Sequence, residues 1–129
     1  MWYHFRWGLS WTIFVFLLCS LPGNSIPSSH WFDLISLDKL IHATIFWVHS
    51  VLWIHAIKNC FRHPAFYSRV LVFGVFISIA YGGLLELLQS SVFYERTGDW
   101  NDFIANSFGA SLAYFFHQPR LGYRLGILK

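Results

Sequence analysis

The chain has 129 residues, of which 56% are hydrophobic and 12% charged, with a formal net charge of +3. An average soluble domain carries about 25% charged residues, and a domain this small leaves roughly a third of its unfolded surface in water. A soluble fold is therefore excluded, and lipid is the expected solvent. The positive balance comes with no basic stripe and no recognition motif, which argues against nucleic acid as a partner.

Four apolar runs are predicted in chain order, giving spans at about 2–21, 39–57, 70–91 and 100–118 of a single domain over 1–129. The first ends at the turn signal Pro22-Gly23. Its alternative is a secretory signal peptide, with Arg6 as the charged end and Leu9 to Leu18 as the apolar centre. The lack of a small-x-small cleavage site before Pro22, and the aromatic residues at the start, favour a span anchored in the interface. The second and third runs, Leu40 to Ile57 and Val70 to Leu88, are continuous. The fourth, Phe103 to Phe116, is short against the roughly 20 residues a bilayer requires, so its span must draw on the residues at both ends.

Charge gives the orientation. Arg6, the segment Lys58, Arg62 and Arg69, and the tail Arg120, Arg124 and Lys129 hold seven of the nine basic residues. All six acids fall instead at Asp33, Asp38, Glu86, Glu95, Asp99 and Asp102, with only Lys39 and Arg96 beside them. Short basic segments stay cytoplasmic. The expected fold is an all-α integral membrane bundle of four transmembrane helices, both termini cytoplasmic and the acidic segments outside.

Polar residues enter the spans at helical spacing. Asp38 and His42 are four apart, with Lys39 between them; Glu86 and Gln89 are three apart; Asp99, Asp102 and Asn106 follow at steps of three and four. Each set lies on one helix face at the outer end of its span, so the three faces can converge on one site. The stripes continue inward as Gly74, Ser78 and Gly82 on span three and Gly109 or Ala110 and Ala113 on span four. Small residues at this spacing let helices approach closely in lipid, and Gly82 is expected to bring spans three and four together.

The pattern Asp38-Lys39-x-x-His42, Glu86-x-x-Gln89 and Arg96-x-x-Asp99-x-x-Asp102-x-x-x-Asn106-x-x-Gly109 resembles the VanZ-like family of small bacterial membrane proteins over about residues 30 to 116. The resemblance implies a multi-span helical protein of the bacterial inner membrane, with founding members linked to teicoplanin resistance. It implies no known reaction.

Three chemistries suit the residues. A carboxylate such as Glu86 or Asp102 could act as general base, with His42 as acid and Arg96 or Lys39 holding an anionic group of a lipid-linked or cell-wall substrate. Asp38, Glu86, Asp99 and Asp102 could supply oxygen ligands, and His42 a nitrogen, to a cationic ligand. Alternatively, Lys39 and Arg96 neutralise the carboxylates while His42, Gln89 and Asn106 complete a structural lock. Intramembrane ionisable groups are functional by default, which favours a site over a lock. Binding ranks above catalysis, because no nucleophile-base pair and no H-x-x-x-H or C-x-x-C metal signature occurs. The expectation is a binding site in the cell envelope for a wall precursor, a lipid or a cation, with no cofactor and no motif-encoded metal. A membrane enzyme and a structural partner of another membrane protein are the alternatives. His49, His55, His63 and His117 read as polar spots at helix faces or interfaces rather than metal ligands, since no partner sits at ligand spacing.

Overall fold

A computed structural model describes residues 2–21, 35–60, 66–93 and 98–118. Those residues form a short 3-10 turn (Trp2–Phe5) and four helices: α1 (Arg6–Ser20), α2 (Ile35–Cys60), α3 (Tyr67–Ser91) and α4 (Trp100–His117). No strand occurs among the described residues.

Two of the helices are long and apolar enough to cross a membrane, α2 over Leu37–Cys60 and α3 over Tyr67–Ser91. No Gly or Pro interrupts α2, so its hydrogen-bonded backbone outlasts the apolar run at both ends and reaches about 39 Å at 1.5 Å per residue. By the same rise α1 is about 22 Å long and α4 about 27 Å. The outer surfaces of α3 and α4 carry exposed Phe73, Phe76, Leu84, Leu87, Ile104 and Phe108.

α2 is the central helix, packed along its length between α3 and α4, with α1 on one side. Near one end Ile54, Leu71 and Ala113 form a fully buried cluster, joined by Val51, Tyr67, Val75 and Tyr114. Nearer the other end Val15, Phe46 and Leu85 pack with Trp11, Ile45 and Tyr81. Tyr67 Oη donates to the His117 carbonyl at 2.6 Å, tying the start of α3 to the end of α4.

The small-residue stripes are buried as a set. A side chain at Gly109 would overlap the backbone of Ala43, so α2 and α4 cross there in direct contact. Gly74 lies against Ile54 of α2, whereas Gly82 faces both Phe46 of α2 and Asn106 of α4. The stripe on α3 thus serves α2 as much as α4, a wider role than joining spans three and four. The reason is α2's central position.

α4 begins where Asp99, in an extended conformation, caps the helix by accepting from the Asn101 backbone N–H at 2.9 Å. Gly98 itself lies directly against α3, since a side chain there would collide with the Glu86 carbonyl.

Candidate functional site

The α2–α4 crossing at Ala43 and Gly109 seats the next turn of each helix face to face, which brings His42 of α2 against Asn106 of α4. His42 Nδ1 lies 3.0 Å from Asn106 Oδ1. Asn106, 1% exposed, turns its amide nitrogen toward Glu86 Oε1 at 3.4 Å. Glu86 of α3 in turn accepts the Asp99 backbone N–H at 3.0 Å through Oε2. One side-chain chain therefore links three helices and the α4 cap.

Lys39 sits above this relay. Its Nζ bonds Asp102 Oδ1, and lies 3.2 Å from Asp38 Oδ2 and 3.5 Å from Asp99 Oδ2. The other oxygens of two of these carboxylates face His42 Nε2, Asp38 Oδ1 at 3.9 Å and Asp102 Oδ2 at 3.7 Å. Exposure grades through the cluster. Asp38 and Asp99 side chains are nearly half exposed, Asp102 is 18% exposed, and Asn106 is buried. The Asn101 backbone N–H, with Lys39 as a further contributor, holds the Asp99 carboxyl below its ordinary value. Four carboxylates meet one lysine and one histidine among the described residues, so the mouth of the cluster attracts cations.

Of the expected site residues, Asp38, Lys39, His42, Glu86, Asp99, Asp102 and Asn106 come together. Gln89 does not join them. It is buried and donates to the Cys19 carbonyl of α1 at 3.4 Å. Arg96 lies outside the described residues.

No family model, curated protein or solved structure matches the chain.

A groove of about 500 Å3 runs between α3 and α4 beside the cluster. Its walls are apolar, formed by Ala80, Gly83, Leu84, Leu87 and Phe103, and Glu86 and Asp99 also border it. The sequence pattern gave no sign of this groove, because its walls are drawn from the exposed apolar sides of two helices.

A second polar group lies deeper, and spacing alone did not single it out. His49, 1% exposed, accepts the Trp53 indole N–H at Nε2, 3.2 Å away, which places its hydrogen on Nδ1 for Ser78 Oγ at 2.8 Å. Ser78 passes its own hydrogen to the Gly74 carbonyl. Thr12 of α1 lies 3.0 Å from His49 Nε2, Tyr81 stacks on the imidazole at 5.0 Å, and Tyr81 Oη donates to the Thr12 carbonyl at 2.7 Å. His49 is thus more than a polar spot on one face: it joins α1, α2 and α3, with its ring nitrogens satisfied within the protein. That makes it a structural fastening for α1.

Proposed function

We propose that this chain is a VanZ-like protein of a bacterial inner membrane, with four spans and both termini cytoplasmic, whose outward polar cluster binds the headgroup of a lipid-linked envelope precursor. The cell-envelope role is of the kind linked to teicoplanin resistance. Binding rather than catalysis is the reading, because the cluster offers charge and hydrogen bonds without an activated nucleophile.

The observation that carries the proposal is the groove: an apolar trough of about 500 Å3 bordered by Glu86 and Asp99. Lipid-facing apolar walls beside a half-buried carboxylate suit an amphiphile, with its hydrocarbon between α3 and α4 and its headgroup at the cluster. The excess of carboxylates over Lys39 favours a headgroup carrying an amine. The two shorter helices reach the bilayer through packing against α2. For α1, the Thr12 and Tyr81 contacts around His49 support a retained span over a removed signal peptide.

The full-length protein, extracted in mild detergent, should retain an amine-bearing lipid at close to one per chain by mass spectrometry. Ala80→Phe fills the groove from its exposed side without touching the polar cluster, and should strip most of that lipid while leaving the protein folded. Undiminished lipid in Ala80→Phe would refute the groove as the acyl-chain site.

Orientation has its own test in the two cysteines. Cys60 ends α2 beside the basic segment, whereas Cys19 lies near the far end of α1. A membrane-impermeant thiol reagent should label Cys60 only after the cells are opened. Labelling of Cys60 in intact cells would invert the topology.

A further inference from the structure

We propose that Asp38, His42 and Asp102 form a site for a divalent transition-metal ion of the Zn2+ or Mn2+ class, open on its outward side. The inference goes beyond headgroup binding and does not depend on it.

Asn106 sets the orientation of His42. An ionised Glu86 only accepts, so the Asn106 amide nitrogen faces it and Asn106 Oδ1 faces His42. The hydrogen on His42 is thereby placed on Nδ1, and Nε2 is left pointing at Asp38 Oδ1 and Asp102 Oδ2. Lys39 does not occupy this space, because it binds the opposite oxygen of each carboxylate. A nitrogen lone pair and two carboxylate oxygens thus converge, and Lys39 on the opposite oxygens offsets only part of their mutual repulsion.

A proton on Nε2 fits that space poorly, since 3.7 and 3.9 Å exceed hydrogen-bond range. A metal ion fits better. Ligand atoms around a tetrahedral ion with bonds of about 2.0–2.2 Å lie about 3.4 Å apart. The two Nε2–oxygen separations exceed this by a few tenths of an ångström, and all three atoms lie within 4.8 Å of one another, so carboxylate rotations that move the oxygens by up to about 1.4 Å close the shell.

The surroundings are those of a metal-binding histidine. Asn106 and Glu86 orient the ring through Nδ1, as the second partner of a ligating imidazole does. Lys39 fixes the Asp102 carboxylate while leaving Oδ2 available. One imidazole and two carboxylates suit Zn2+ or Mn2+, whereas Ca2+ requires six to eight oxygens. With three protein ligands, a fourth position remains for water or a ligand. The sequence offers these residues as cation ligands without a short metal signature, because the third ligand lies on another helix, 60 residues after His42.

The test uses untagged full-length protein in detergent, stripped with a chelator and titrated calorimetrically with Zn2+ or Mn2+ alone. One ion per chain should bind, Zn2+ more tightly than Mn2+. His42→Gln and Asp102→Asn should each weaken binding by about ten-fold or more, and Asn106→Ala by about ten- to hundred-fold through loss of ring orientation. Asp38→Asn changes an exposed side chain and guards against misfolding of the other variants, and it too should weaken binding. Lys39→Met should preserve or tighten it, since the competing ammonium is removed. Absence of a one-to-one saturable event, or unchanged affinity in Asp38→Asn together with His42→Gln, would overturn the proposal and leave a proton on His42 as the group between the carboxylates.

Discussion

Gly109→Val should yield almost no folded protein. The added Cβ would occupy the position of the Ala43 backbone carbonyl, and no side-chain rotation can relieve a collision with main chain. α2 and α4 would have to separate, taking His42 away from Asn106. Overpacking costs typically about 1–3 kcal/mol where side chains can shift; with backbone on backbone the cost should exceed about 3 kcal/mol, against a total stability of about 5–15 kcal/mol. The contrast is Gly8→Ala, whose Cβ would meet the Trp53 ring at 3.6 Å, an ordinary contact. Gly8→Ala should accumulate like the wild type. Size-exclusion profiles of the two variants, prepared side by side, provide the check.

Asn106→Leu should produce the second large loss, for a different reason. The substitution removes the bridge between His42 and Glu86 and leaves a half-buried donor and a half-buried acceptor without that partner. Full burial would cost about 1–3 kcal/mol for each group and partial exposure lowers this, so a destabilisation of about 2–4 kcal/mol is expected. The longer side chain also presses on Gly82. A melting temperature equal to wild type would show that the relay contributes little to folding.

How far the sequence carried this account depends on which partners were in question. Charge and periodicity indicated three polar helix faces, because spacings of three and four determine what shares a face. They did not indicate what each face meets. Gln89, three residues after Glu86, is rotated about 60° from it, enough to turn it from α4 toward Cys19 of α1. His49 looked isolated because its partners Thr12 and Ser78 are 37 and 29 residues away. Gly98 is invisible as a determinant until α3 is seen beneath it, where it lets the Asp99 N–H reach Glu86. Local spacing encodes faces; long-range pairing comes only from packing.

The central claim is that the cluster is a binding site and not merely a lock between helices. Neutral, nearly isosteric changes separate the two. Glu86→Gln sacrifices one hydrogen bond, worth about 1 kcal/mol, since an amide cannot accept from both Asn106 and the Asp99 backbone through two oxygens. Asp102→Asn removes one partly exposed ion pair, worth at most about 1 kcal/mol. Neither should prevent folding. The decisive measurement is the amount of lipid bound per folded chain in these two variants, with yield and melting temperature recorded on the same samples. The binding-site account predicts near-wild-type yield with bound amine-bearing lipid largely lost. Failure of both variants to accumulate, as expected of Gly109→Val, would contradict it and identify the cluster as a structural lock; full retention of lipid in both would contradict it as well.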